Sequence, residues 1–94
     1  MAILEDPEEH ETDALNRLMP SFAGLHVLEI GCGDGRLTRR YERDAASIVA
    51  IDPDEEAIAD LRTEMPHVDA RAIGIEDLIV PEHSVDLVVF AWSL

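Results

Sequence analysis

The sequence predicts an α/β domain: an open parallel sheet with helices on both faces. Three observations predict it. Short β-branched and aliphatic runs alternate with segments of helical periodicity, glycines punctuate the junctions, and the chain is long enough for one domain only, with 94 residues. At that size folding buries roughly 60 to 65% of the surface the unfolded chain exposes. The composition, 47% apolar and 30% charged, is that of a globular chain and not a disordered one.

Asp6, followed by Pro7, Glu8 and Glu9, has the form of a helix N-cap, a first-turn proline and dipole-compensating acids. A helix over about 7–19 is expected, with Ala14, Leu15, Leu18 and Met19 on one face and Pro20 closing it. Between Gly24 and Gly31, His26 to Ile30 reads as a strand, and the cofactor-binding core would run over about 24–94. Arg36 to Arg43 reads as a helix and Ser47 to Ile51 as the second strand. Asp54, Glu55 and Glu56 open a further helix that carries Ala57, Ile58, Leu61 and Met65, and Pro66 stops it. A weaker strand spans about Val68 to Ile73, a polar loop runs from Gly74 to Ser84, and Val85 to Trp92 is the most strand-like stretch. Strand and helix alternation of this kind specifies parallel strands joined by right-handed crossovers.

Charge removes whole classes of function. Twenty-one acidic residues face seven basic ones, all arginine, for a formal net charge of -14. Without a lysine the chain encodes no Walker phosphate loop, protein kinase strand lysine or Schiff base. The negative field also disfavours nucleic acid as a direct partner. An acidic, lysine-free composition fits a salt-loving source, where screening tempers self-repulsion, or a GC-rich genome. No apolar stretch approaches bilayer length, the start MAILEDPEEHE lacks the basic character of a leader, and a single cysteine cannot close an internal disulfide. A cytoplasmic protein with no membrane span is expected.

The informative segment is VLEIGCGDGR, Val27 to Arg36, in which a buried strand ends in Gly31, Gly33 and Gly35. Glycine lets the backbone turn out of the sheet and lets a ligand lie against it. Asp52 follows at the end of the second strand, where a carboxylate can accept both hydroxyls of a ribose. Together these features outline a nucleoside pocket. The spacing departs from the dinucleotide fingerprint G-x-G-x-x-G, because Arg36 stands where its third glycine belongs, so NAD is the weaker reading.

At this point the chain resembles the class I S-adenosylmethionine-dependent methyltransferases, specifically the N-terminal cofactor-binding half of small-molecule enzymes of the methyltransferase type 11 kind. The likeness runs from about Leu18 to Leu94. It rests on Glu29-Ile30-Gly31-Cys32-Gly33-Asp34-Gly35, on Asp52 in IVAIDPDEEAI, on GIEDL at Gly74 to Leu78, and on SVDLVVFAWSL at Ser84 to Leu94.

The resemblance implies a Rossmann-like sheet, here about four strands in the order 3-2-1-4, as one partial domain over residues 1–94. It implies S-adenosyl-L-methionine as cofactor, with Gly31, Cys32, Gly33 and Gly35 in the loop beside its methionine part. Glu29 would help hold the amino group directly or through water. Asp52 would bind the ribose and Pro53 would pack on the adenine. The backbone of Ile75 or Glu76 would meet a ring nitrogen, and Glu76 or Asp77 would meet the adenine amino group, because Gly74 replaces the acid common there. Phe90 and Ala91 would line the wall beside the sulfonium. The acceptor would be a small molecule.

Relatives continue through further strands, so this reading leaves the apolar edge at 85–92 open to self-association or a partner chain. A non-catalytic binding or interaction module is the second reading. Smaller features have plainer expectations. Cys32 is a packing residue, Asp86 bonds backbone at the start of its strand, and the stripe Arg36, Arg39, Arg40 and Arg43 is a solvated, charge-paired face. No metal spacing links the histidines.

Overall fold

A computed structural model of the chain describes residues 2–6, 22–81 and 84–91. Its elements are β1 (Ala2–Asp6), β2 (His26–Ile30), α1 (Thr38–Tyr41), β3 (Ser47–Ile51), α2 (Glu55–Glu64), β4 (Asp69–Arg71), a 3-10 turn (Ile75–Asp77) and β5 (Leu87–Ala91). The strands form one parallel sheet in the order β1-β5-β2-β3-β4. The four strands expected from the sequence are β2 to β5, and they lie in the expected order, 3-2-1-4. The helix expected over 7–19 lies outside the described residues.

The fifth strand corrects the expectation of an open edge at 85–92. Ala2 to Asp6 pairs with β5 along its length, Ala2 opposite Leu87 and Asp6 opposite Ala91. Three apolar residues before an acidic run carry little intrinsic strand signal; the strand exists through the non-local hydrogen bonds that the edge of β5 offers.

Handedness sets the faces. The steps from β2 to β3 and from β3 to β4 run in one direction across the sheet, so right-handed crossovers put α1 and α2 on the same face. Val27, Ile48, Ala50, Leu87 and Val89 meet Leu37, Tyr41, Ile58, Leu61 and Met65 there in one core. The return from β4 to β5 crosses the opposite face, where Leu28 and Val49 lie near Ile79, Val80 and Val85. Among the described residues that face carries extended chain, Ile79 to Pro81 and Ser84 to Val85, in place of a long helix.

Local chemistry fixes the element ends. Asp54 caps α2, its carboxylate accepting from the N–H groups of Glu56 and Ala57. The helix ends at Met65, whose backbone leaves the helical region as expected before Pro66. The α-helical core of α1 is shorter than the 36–43 segment the sequence predicts, because the bonds Arg40 N–H to Leu37 and Asp44 N–H to Tyr41 are of the tighter 3-10 kind. β5 begins later than expected: Asp86 turns its carboxylate to the N–H of His26 at 2.9 Å, the backbone-bonding role the sequence suggests. Arg39 is exposed and pairs with Glu64 at 2.6 Å, as expected of the arginine stripe, whereas Arg36 at its start is half-buried. No helix of the described residues is long and apolar enough to cross a membrane.

Candidate functional site

The site lies at the carboxyl ends of β2 and β3. Past β2 the chain does not continue in plane: the N–H groups of Gly31 and Cys32 both donate to the carbonyl of Ile51, at 2.9 and 3.1 Å, which draws the loop over the end of β3. Gly31 has φ of 79°, and a Cβ there would collide with the carbonyl oxygen of Ala91. Glycine is required at this position by the closeness of β5. At Gly35 a side chain would run into Met65 and Leu61, so the third glycine admits α2 to the loop.

Gly33 differs from both. Its φ is 56°, yet no atom lies within 4 Å of where a Cβ would stand. Protein packing therefore does not account for the glycine, and the space above it is open to a ligand. Its N–H donates to Oδ2 of Asp52 at 3.0 Å, and Oδ1 of the same carboxylate accepts from the N–H of Asp54 at 2.9 Å. Each carboxylate oxygen carries a second lone pair, so Asp52 can fix the loop and still accept a diol.

Around this pair runs a cavity of about 680 Å³, lined by Gly31, Cys32, Gly33 and Asp52 from the sequence-predicted set. Asp34, Arg36, Leu37, Asp54, Glu56, Ala57 and Asp60 complete the lining. Sequence reasoning assigned none of these seven to a site. Asp34 and Arg36 sit inside the glycine motif, so their position was legible, whereas Glu56, Ala57 and Asp60 reach the cavity through the packing of α2. The lining is strongly acidic, with Arg36 its one basic residue.

The remaining expected residues do not line the cavity. Pro53 is exposed beside Asp52, and Ile75, Glu76 and Asp77 are exposed on their 3-10 turn. The carboxylate of Glu76 folds back over Gly74 and fills the space that a Cβ would need. Phe90 is half-buried opposite Ile30, while Ala91 is buried with its carbonyl against Gly31.

Cys32 keeps the packing role expected of it, whereas Glu29 takes one the motif alone does not suggest. Cys32 is buried, and burial above all, followed by the Glu29 and Asp52 carboxylates, pushes its thiol far up, as suits a neutral packing group. Glu29 is fully buried and is absent from the cavity lining. Its carboxylate accepts from the hydroxyl of Thr38, at 3.0 and 3.1 Å, and from that of Tyr41 at 2.5 Å. Strand alternation puts Glu29 on the same face as Val27, under the helices, which is the signal that could have found this arrangement.

A parallel sheet whose edge carries a tight glycine loop and a facing carboxylate defines a nucleoside-binding α/β domain. The family described as methyltransferase domain matches residues 27–94, and the chain belongs to it. A "Probable S-adenosylmethionine-dependent methyltransferase" of Mycobacterium tuberculosis is 37% identical over 73 residues, covering 78% of this chain and 27% of the relative. Among solved structures, an S-adenosylmethionine-dependent methyltransferase from Mesorhizobium loti superposes with a TM-score of 0.77 at 26% identity, over 87% of this chain and 39% of that one. Haemonchus contortus phosphoethanolamine N-methyltransferase 1, solved with phosphoethanolamine and S-adenosylhomocysteine, gives 0.75 at 27% identity, over 88% of this chain and 18% of that one. The chain spans about a quarter of the length of the Mycobacterium tuberculosis relative.

Proposed function

We propose that this chain is the cofactor-binding part of an S-adenosylmethionine-dependent methyltransferase that acts on a small molecule. The observation that carries the reading is the open space over Gly33 beside a carboxylate already held by the Gly33 N–H. A cradle that a Cβ would fill, next to an acceptor for a diol, fits a nucleoside with an extended substituent.

Each residue has a task in this reading. Asp52 accepts the ribose hydroxyls, and the backbone of Gly31 and Gly33 borders the methionine part. Pro53 packs on the adenine, and the turn at Ile75, Glu76 and Asp77 supplies polar contacts at its rim. Phe90 and Ala91, at the end of β5, form the wall toward the reacting end. When bound, S-adenosylmethionine supplies a methyl group already activated by its sulfonium, so the protein's work is to align the acceptor and exclude water. A general base is needed only where the acceptor must lose a proton.

Similarity to phosphoethanolamine N-methyltransferases supports a small-molecule acceptor. The net charge of -14 disfavours nucleic acid in that role, and the single cysteine is in keeping with a cytoplasmic setting.

Calorimetric titration of the full chain with S-adenosylhomocysteine, with NAD as control ligand, tests the proposal. Saturable binding of the first and none of the second supports it. Equal binding of both, or binding of NAD alone, would overturn it.

A further inference from the structure

Glu29 raises a question that the cofactor reading leaves unanswered: a carboxylate with no exposure to solvent sits inside a parallel sheet. Burying a carboxylate costs several kcal/mol unless hydrogen bonds compensate it. Its two hydroxyl donors, Thr38 and Tyr41, belong to α1, the helix that succeeds the glycine loop. The Tyr41 ring also stacks on Phe22, with centroids 4.4 Å apart, at the entry to β2. Burial first, and then the neighbouring Glu29 carboxylate, hold the Tyr41 hydroxyl well above the usual phenol range, so it remains a donor.

α1 has only four residues and could not hold its own conformation, since helix nucleation is unfavourable at that length. Contacts with the sheet must therefore fix it. The loop leaves β2 directly after Glu29 and Ile30 and returns at Leu37 and Thr38, so the Glu29 carboxylate joins its two ends.

We infer that Thr38 and Tyr41 are positioning residues for the cofactor site, acting through Glu29: the three side chains clamp α1 to β2 and thereby set the conformation of the Gly31 to Gly35 loop. The inference rests on reading that loop as the S-adenosylmethionine site, and it gives Glu29 a role beneath the ligand in place of a contact with it. A purely structural cluster would stabilise sheet and loop alike. A clamp acts on the loop first, because the core strands have their own ladders and apolar packing.

The test uses the full chain as wild type, Tyr41→Phe, Thr38→Val and Thr38→Ser. Amide hydrogen exchange is followed at Gly33, Gly35 and Arg39, whose N–H groups bond Asp52, Cys32 and Gly35, and at Val49 and Val89 in the sheet. Tyr41→Phe and Thr38→Val are expected to speed exchange at Gly33 and Gly35 in the loop and at Arg39 in α1 by about tenfold or more, with the sheet positions changed less than about twofold. The dissociation constant for S-adenosylhomocysteine should rise by about tenfold in the same variants. Thr38→Ser, which keeps the hydroxyl, should restore both readouts. Uniform acceleration across loop and sheet, or an unchanged loop in Tyr41→Phe, would overturn the clamp. A wild type that binds no S-adenosylhomocysteine would overturn the cofactor reading, and the exchange measurements would still decide the clamp.

Discussion

The N–H of Gly33 donates to Oδ2 of Asp52 at 3.0 Å, which ties the loop after β2 to the first residue after β3. The two residues come from different crossovers and meet only because parallel neighbouring strands end at the same sheet edge. The carboxylate thus organises the site before any ligand arrives, and its loss should be felt twice.

Asp52→Ala removes the acceptor for both Gly33 and Asp54. A stability loss of about 1 to 3 kcal/mol is expected, read by urea unfolding. Cofactor affinity should fall by more than that loss explains, and Asp52→Asn, which keeps one oxygen, should fall between wild type and Ala.

The loop glycines should separate cleanly. Gly31→Ala meets the carbonyl of Ala91 as well as an unfavourable φ, so it should destabilise the fold by about 2 kcal/mol or more. Gly33→Ala carries only the backbone cost, about 1 to 2 kcal/mol, yet its methyl group enters the open cradle and should abolish S-adenosylhomocysteine binding. Thermal unfolding and calorimetry on the two variants check this inversion of effects.

Cys32 should resist labelling. Native protein at pH 8 is expected to react with a disulfide reagent far more slowly than urea-unfolded protein, since burial and nearby carboxylates hold the thiol neutral. Unfolded chains lose the thiol proton above about pH 8.5 while the folded state keeps it, so the unfolded state binds fewer protons and stability falls as pH rises. This group contributes no pH dependence below that point. Above it the slope approaches about 1.4 kcal/mol per pH unit, visible as an alkaline loss that Cys32→Ala reduces.

The ion pair between Arg39 and Glu64 is the contrasting case. Its distance is short, but both side chains are about half exposed. Arg39→Ala should change stability by less than about 1 kcal/mol, and less still at high salt, as urea unfolding at two salt concentrations would show.

Elements were legible in the sequence where their signals are local. β2 and β3 match their expected limits, His26 to Ile30 and Ser47 to Ile51, because glycines and polar residues bound short apolar runs. The cap at Asp54 and the stop before Pro66 are likewise local chemistry. β1 was not legible because Ala2 to Asp6 is a strand only beside β5. The site divides in the same way: Gly31, Cys32, Gly33 and Asp52 were legible from motif spacing, while Glu56 and Asp60 enter the cavity through the approach of α2. Glu29 was legible as an acid in the motif, but the direction it faces depends on strand alternation, and its partners on the position of α1.

The proposed function turns on cofactor binding in the open space over Gly33, beside the Asp52 carboxylate. Amide chemical-shift mapping of the full chain during titration with S-adenosylhomocysteine tests it most directly. The largest shifts are expected at Gly31, Gly33, Asp52 and the turn Ile75 to Asp77, all lost in Gly33→Ala. Saturable shifts confined to Leu28, Val49, Ile79 and Val80 on the opposite face, or unchanged shifts in Gly33→Ala, would contradict it.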